Sequence, residues 1–364
     1  MKILPVIICG GAGTRLFAES KNNLPKQFVD FGNWTMFQKT LDRINSKIYL
    51  PPIISTNIKY LSLVKKYLKK YKINKYKIVS EPFKKNTAPA ILSTSLLKCI
   101  KSSQPIIFLP SDQLISDKIR FNLAVKRNAK KIQYKDMFVF GIKPTEPSDQ
   151  FGYFLRKDKS IEVSKFIEKP NMQNAKKLVK KGALWNAGIF LSTKESIIFH
   201  FLNKQKILFN QCLNSVNNSV YKNNLVFLDR KSFNKIKPIS FDYAVLEKNF
   251  YKIVLPIKTK WSDLGTFDSL SKIKNKSGDV ISINSKDNMS YTDERLLVTS
   301  EVNNLIIINT RNATLITSPF TAIAAAALTV LFAVLGLLPS LVSNPSSDTN
   351  ITFSVLAPAP THAR

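Results

Sequence analysis

Histidine is nearly absent from this chain of 364 residues, which contains only His200 and His362. A Ser-His-Asp triad, a Cys-His pair or a histidine-based zinc site needs a histidine beside particular partners, and so few histidines give these sites poor support. We therefore expect any chemistry to depend on carboxylates, cations and backbone amides.

Cysteine is also scarce, since the chain has only Cys9, Cys99 and Cys212. The three lie far apart and show no CxxC spacing, which argues against a disulfide framework. The first residues run directly into a glycine-rich loop and do not resemble a secretory signal peptide. These features predict a protein of the reducing cytoplasm.

Acidic residues are few, with 24 Asp and Glu against 55 Lys and Arg, and the net charge is +31. A nucleotide, a nucleic acid or an anionic membrane would be a complementary partner. However, the lysines are spread through the chain, with no arginine-rich arm and no run of five like charges. We interpret most of the charge as solvated lysine faces and expect no nucleic-acid partner.

Apolar runs alternate with helical patterns through the first half of the chain. The predicted strands lie at 3–9, 52–56, 77–79, 105–109 and 137–142, and the predicted helices at 88–100, 121–133, 174–181 and 241–248. Such alternation is typical of an α/β fold with a Rossmann-like, doubly wound sheet, and we found no internal repeat in the body of the chain. Ligands of such folds bind outside the carboxyl ends of the strands.

Composition divides the chain into three parts. We expect a main domain over 1–277 and a small, truncated β appendage over 278–317, with short strands at 295–300 and 304–309. From 318 to 364 no lysine occurs, and the uncharged segment 320–342 is long enough to span a bilayer. A membrane anchor is one interpretation, and a foreign or frame-shifted end is the other. The abrupt change of composition favours the second.

A glycine-rich loop follows the first predicted strand, with the sequence GGAGTRL at 10–16. Gly10, Gly11 and Gly13 would let backbone amides approach a phosphate, and Thr14 and Arg15 add a hydroxyl and a permanent cation. The loop lacks the Gly-Lys-Ser/Thr ending of a P-loop and the third small residue of a dinucleotide fingerprint. Eleven residues after Arg15, Lys26 in the segment LPKQF could place an ammonium near the same phosphates.

These two segments resemble the opening motifs of the sugar nucleotidylyltransferase family, and the PKQF form resembles its mannose-1-phosphate guanylyltransferase branch. Further segments resemble motifs of that branch in the same order. They are 81–90 (EPFKKNTAPA), 109–113 (LPSDQ), 140–145 with 152–153, 166–170 (FIEKP), 185–188 (WNAG), 241–248 (FDYAVLEK), 261–265 (WSDLG) and 304–315. The likeness covers roughly 3–316 and implies a fold of the nucleotide-diphospho-sugar transferase type.

The resemblance implies a reaction in which GMP passes from GTP to mannose 1-phosphate, giving GDP-mannose and pyrophosphate. It implies that Asp112 and Asp263 hold Mg²⁺ on the nucleotide phosphates. The structural alternatives are a helix cap for Asp112 and a turn for Asp263. Arg15 and Lys26 are the implied catalytic cations, and the glycine loop binds the nucleotide.

Two further groups of residues receive roles from the resemblance. Gly152, Glu168, Lys169 and Asn186 are the implied sugar and sugar-phosphate contacts. Glu81 and Asn86 are candidates for binding guanine, whose N1–H and N2–H a carboxylate can accept. The alternative for Asn86 is a cap on the helix that follows it.

The implied nucleophile is a phosphate oxygen that is already ionised at neutral pH, so no general base is required. Catalysis would rest on positioning and charge neutralisation. The chain departs from the branch at Gln113, where a histidine is usual, and at Ala18, Lys21 and Lys85. Another nucleotide and sugar pair therefore stays an alternative, and a homodimer is compatible with the sequence.

Overall fold

The computed structural model describes residues 2–11, 25–28, 34–158, 160–248, 252–257, 259–263, 276–292, 296–309 and 314–317. These residues belong to one compact unit, 1–319. Gly13, Thr14, Arg15 and the apolar segment 320–342 lie outside the described residues. None of the described helices is long and apolar enough to cross a membrane.

A mixed sheet of eleven strands forms the centre of the fold. Its strands are β1 (Leu4–Ile8), β2 (Ile53–Asn57), β3 (Lys77–Glu81), β4 (Pro105–Pro110), β6 (Met137–Ile142), β7 (Tyr153–Arg156), β8 (Val163–Ile167), β9 (Leu184–Thr193), β10 (Val220–Lys222), β11 (Leu225–Phe227) and β12 (Lys252–Ile257). The order is β10-β11-β3-β2-β1-β4-β9-β6-β12, and β7 pairs with β8 and β9. β1 to β4 are mutually parallel, whereas β9 is antiparallel to β4 and β6.

Helices cover both faces of this sheet. They are α1 (Met36–Ile44), α2 (Leu61–Lys70), α3 (Thr87–Ser95), α4 (Lys118–Ala129), α5 (Met172–Lys180), α6 (Lys194–Lys204), α7 (Lys206–Asn217), α8 (Arg230–Asn234) and α9 (Phe241–Ala244). One apolar core contains α3, α6 and α7, and a second core contains α1, α2, α4 and α5. The central strands are apolar on both sides because both faces are covered. The predicted doubly wound α/β fold is confirmed.

The helices depart from the predicted bounds at three places, and a side-chain cap explains one of them. α4 begins at Lys118, three residues before the predicted start, because the side chain of Asp117 accepts a hydrogen bond from the amide of Arg120 at 2.8 Å. α3 ends at Ser95, five residues before the predicted end. The predicted helix at 241–248 is broken into α9 and a 3-10 turn, Leu246–Lys248. All three cysteines are free, with Cys9 and Cys212 buried.

The C-terminal strands form two small sheets. They are β14 (Lys276–Ser277), β15 (Val280–Ile283), β16 (Met289–Thr292), β17 (Leu297–Ser300), β18 (Ile306–Asn309) and β19 (Thr314–Thr317). β15 lies parallel to β17, and β16 parallel to β18, each strand pairing with the one a full coil further along the chain. The predicted β appendage is confirmed, while its boundary at 277/278 stays a prediction.

This appendage repeats its conformation although its sequence shows no evident repeat. Hydrogen bonds between successive coils join residues that are 17 positions apart. Left-handed corners recur at the same interval, at Asn284 (φ 47°) and Glu301 (φ 56°), and at Asp287 (φ 55°) and Asn304 (φ 56°). Asn and Asp tolerate this conformation better than most residues, so three of the four corners carry a suitable side chain.

Asn288 joins two coils from a buried position. Its Nδ2 donates to the carbonyl of Val302 at 2.6 Å, and its Oδ1 accepts from the amide of Leu305 at 2.9 Å. Only 8% of the side chain surface is exposed. Both backbone groups depend on this amide for a hydrogen-bond partner in the turn.

We expect Asn288→Ala to destabilise the appendage by about 1–3 kcal/mol for each backbone group left without a partner. Limited proteolysis should then cut within 276–317 sooner than in the unaltered protein. Lys286→Ala is the matched control, because the exposed Lys286 contributes only backbone groups to the turn: its amide donates to Asn303 and its carbonyl accepts from the amide of Asn304. Equal cleavage rates in both variants would refute the role assigned to Asn288.

Candidate active site

Two short strands bring the predicted metal-binding aspartates together. β5 (Leu114–Ile115) pairs antiparallel with β13 (Trp261–Ser262). Asp112 lies between β4 and β5, and Asp263 directly follows β13. Burial raises the pKa of Asp112, and the negative charge of the neighbouring Asp263 adds to that rise. This location, at the carboxyl end of β4, is where ligands of such sheets bind.

Lys26 lies beside both aspartates. Its side chain is largely buried in a 3-10 turn, Lys26–Phe28, and its Nζ lies 3.8 Å from Oδ2 of Asp112. The same ammonium donates a hydrogen bond to the backbone carbonyl of Asp263. Burial raises the pKa of Asp112, and Lys26 opposes that rise. One predicted catalytic cation and both predicted metal ligands are therefore neighbours.

The helix-cap alternative for Asp112 is wrong, since Asp117 caps α4. Among the residues that the structure describes, no group of three or more His, Cys, Asp or Glu is arranged to hold a metal ion. Two carboxylates nevertheless fit a hard cation such as Mg²⁺, which prefers oxygen ligands and usually completes its shell with water and substrate phosphates.

The described start of the glycine loop lies close to Glu81. A Cβ added to Gly10 would lie 3.8 Å from Oε1 of Glu81, whereas one added to Gly11 would meet no atom within 4 Å. The carbonyl of Gly11 accepts a hydrogen bond from Nε2 of Gln27 at 3.2 Å.

Glu81 and Asn86, the two candidates for base recognition, differ in their surroundings. Glu81 ends β3, is buried, and accepts a hydrogen bond from Oγ of Ser55 at 2.7 Å. Burial raises the pKa of Glu81 to about 7. Asn86 is exposed and its Oδ1 accepts from the amide of Thr87 at 2.8 Å, so the predicted cap on α3 is present.

The four predicted sugar contacts form a second cluster. The carbonyl of Gly152 accepts from the amide of Asn186 at 2.7 Å. A Cβ on Gly152 would lie 2.5 Å from Oε2 of Glu168, so only glycine leaves room there. Nζ of Lys169 lies 3.9 Å from Oε1 of Glu168. The structure thus brings these residues, from β7, β9 and the end of β8, to one place.

Asp242 belongs to this cluster and was missed by the sequence analysis. Its Oδ1 accepts a hydrogen bond from Nδ2 of Asn186 at 2.7 Å, while Oδ1 of Asn186 accepts from the amide of Gly188 at 2.8 Å. The sequence could have identified Asp242, because it lies in the segment FDYAVLEK that resembles a motif of the family. Burial, with Asp242 and Glu247 adding to it and Lys169 opposing it, raises the pKa of Glu168 to about 7.

Comparison with known proteins agrees with this geometry. The family described as nucleotidyl transferase matches residues 4–280. The chain is a member of the nucleotidyl transferase family. Nucleotidyltransferases of this family generally use a divalent metal ion.

Named relatives cover most of the chain. A mannose-1-phosphate guanylyltransferase from Salmonella montevideo is 31% identical over 86% of this chain and 70% of its own length. The alginate biosynthesis protein AlgA of Pseudomonas fluorescens is 29% identical over 86% and 68%. The crystal structure titled mannose-1-phosphate geranyltransferase, from Thermus thermophilus, superposes with a TM-score of 0.76 at 19% identity, over 91% of this chain and 99% of that one. This last likeness confirms the nucleotidyl transferase fold.

We expect Glu81→Gln to stabilise the ligand-free enzyme at pH 8 by up to about 3 kcal/mol. The folded pKa of Glu81 is about 7 against an ordinary 4.5. Below pH 4.5 the carboxyl of Glu81 is neutral in the folded and the unfolded protein, so it does not change the free energy of unfolding. Between pH 4.5 and pH 7 the carboxyl ionises only in the unfolded chain, so the free energy of unfolding falls as pH rises. Above pH 7 this destabilisation is complete.

Urea unfolding of both proteins from pH 4.5 to pH 8 measures this effect. The advantage of the Gln variant should be absent at pH 4.5 and largest at pH 8. Glu146→Gln makes the same chemical change at an exposed position and should give no such trend. A constant difference across the range would contradict the prediction.

Proposed function

We propose that this nucleotidyltransferase transfers GMP from GTP to mannose 1-phosphate, forming GDP-mannose and pyrophosphate with Mg²⁺ as the metal. The observation that carries the proposal is the meeting of Lys26, Asp112 and Asp263 beyond the carboxyl end of β4. The name of the relative from Salmonella montevideo supports the choice of substrates.

The proposed reaction is an in-line displacement. A phosphate oxygen of mannose 1-phosphate attacks the α-phosphorus of GTP, and pyrophosphate leaves on the opposite side. The attacking oxygen is already ionised at neutral pH, which suits a site without a catalytic histidine. Lys26 and Arg15 would neutralise phosphate charge, and Asp112 and Asp263 would hold the Mg²⁺ that supplies the remaining positive charge.

The second cluster would bind the sugar. Glu168 and Asn186 offer hydrogen-bond acceptors and donors for the hydroxyls of mannose, the backbone of Gly152 would contact the sugar, and Lys169 would meet the sugar phosphate. Because the pKa of Glu168 is about 7, its carboxyl exists in both protonation states at neutral pH. It can then accept a hydrogen bond from a hydroxyl or donate one to it.

Glu81 is the proposed guanine contact, with Asn86 as the second candidate. An ionised carboxylate can accept both N1–H and N2–H of guanine, which uracil and thymine do not offer. We place the reaction in the cytoplasm, in keeping with the three free cysteines. The homodimer stays a prediction.

Product analysis tests the proposed reaction. The enzyme is incubated with Mg²⁺, each of the four nucleoside triphosphates and several sugar 1-phosphates, and pyrophosphate release and the nucleotide sugar are measured. We expect GTP with mannose 1-phosphate to react fastest. A preference for UTP or dTTP would refute the proposal that the enzyme transfers GMP.

In the same assay Asp112→Asn should lose at least about 100-fold in rate, since even the outer-shell partners of metal ligands are worth about 10–100-fold. Asp158→Asn makes the same change in an exposed turn between β7 and β8 and should keep full activity. Full activity of Asp112→Asn would remove Asp112 from the proposed metal site.

Gly152→Ala tests the sugar cluster separately. The added methyl group would lie 2.5 Å from the carboxylate of Glu168 and 2.7 Å from the ring of Phe166, so both side chains must shift away from their present positions. We expect KM for mannose 1-phosphate to rise about 10-fold or more, equivalent to about 1.4 kcal/mol of binding, with KM for GTP little changed. Gly11→Ala, where a Cβ meets no atom, should instead affect GTP. If Gly152→Ala raised KM for GTP and Gly11→Ala raised KM for mannose 1-phosphate, the proposed nucleotide and sugar subsites would have to be exchanged.

A further inference from the structure

Gln113 uses both ends of its side-chain amide. Its Nε2 donates to the carbonyl of Ala187 at 2.7 Å, and its Oε1 accepts from Nε1 of Trp261 at 3.1 Å. Its own backbone carbonyl accepts from Nη2 of Arg43 at 2.8 Å. The residue is 8% exposed, so water does not compete strongly for these bonds.

These bonds join the three segments that carry the candidate site. Gln113 follows Asp112 directly, and Trp261 precedes Asp263 by two residues. Ala187 lies in β9 directly after Asn186, which belongs to the sugar cluster. A single amide therefore connects both aspartate-bearing segments to the strand that presents Asn186.

The indole of Trp261 is itself held in place. Its ring lies 5.4 Å from that of Phe151 and 6.4 Å from that of Trp185, measured between ring centroids. Phe151 precedes Gly152, another residue of the sugar cluster. A movement of Gln113 would therefore displace the backbone that carries the aspartates and the backbone that carries the sugar cluster.

We propose that Gln113 is a positioning residue, which sets the spacing between Asp112 and Asp263 and ties that spacing to the sugar cluster. This inference rests on the proposed function, because it treats the two aspartates as metal ligands. An amide suits the task because it supplies one donor and one acceptor and carries no charge. A carboxylate at this position would only accept, and would add negative charge beside Asp112.

The test measures binding of Mn²⁺ alone to the intact protein, through the loss of the signal of free Mn²⁺ in electron paramagnetic resonance. We expect Gln113→Met, which removes the donor and the acceptor without adding charge, to weaken Mn²⁺ binding about 10-fold or more, as substitutions behind metal ligands generally do. The Mg²⁺ concentration for half-maximal rate should rise in parallel. Gln104→Met is the matched control, since Gln104 also makes two amide hydrogen bonds, at the opposite end of β4.

Trp261→Phe is the second variant, and it keeps the test decisive if Gln113→Met does not fold. It removes the indole N–H and the five-membered part of the indole but retains an aromatic ring, so we expect a folded protein with Mn²⁺ affinity lowered about 3-fold to 10-fold. Unchanged Mn²⁺ affinity in this variant, at unchanged thermal stability, would overturn the inference.

Asp112→Asn separates this inference from the proposed function. If Asp112→Asn loses Mn²⁺ binding while Gln113→Met and Trp261→Phe bind normally, the metal site stands and the positioning role fails. If Asp112→Asn binds Mn²⁺ as the unaltered protein does, the proposed metal site fails and the positioning role fails with it.

Discussion

The pairing of β5 with β13 is the constraint on which the rest of the candidate site depends. Each strand is only two residues long, yet their pairing joins parts of the chain separated by almost 150 positions. Without it, Asp112 and Asp263 would belong to unrelated loops. Lys26 strengthens the junction from a third segment, because its ammonium contacts the side chain of one aspartate and the backbone of the other.

The site is acidic within a strongly basic protein. The pKa values of Glu81, Asp112, Glu168 and Asp242 are all raised, in each case chiefly by burial. Both proposed substrates carry phosphate, which such carboxylates would repel. The arrangement is therefore consistent with a division of labour, in which cations meet the phosphates while carboxylates meet the hydroxyls and the base.

Sequence patterns predicted much of this structure, because buried strands and motifs are encoded by residues that are close together in the chain. The runs around Val6 and Phe108 are apolar on both faces, which indicates buried parallel strands. The order of the motifs identified Asp112 and Asp263. Helix ends were less accessible: Asp117 was not recognised as the cap of α4, and the sequence around Val245 gave no sign that the helix breaks there.

Other features depend on contacts that no sequence pattern reports. Asp242 is defined by its bond to Asn186, which lies 56 positions away. The substitution at Gln113 was recognised as a departure from the family, but its two partners come from β9 and β13. The repeated coils of the appendage were not predicted from the sequence, because their backbone corners recur at a fixed interval while the side chains at those corners differ.

The last strand of that appendage has a consequence for self-association. β14, β16 and β18 are parallel, and each additional coil could in principle stack on the one before. β19 instead runs antiparallel to β18 and occupies the hydrogen-bonding edge that a further coil would use. Because the chain reverses direction here, a neighbouring molecule could not continue the parallel stack from β18, and β19 is the outer strand of this sheet among the described residues.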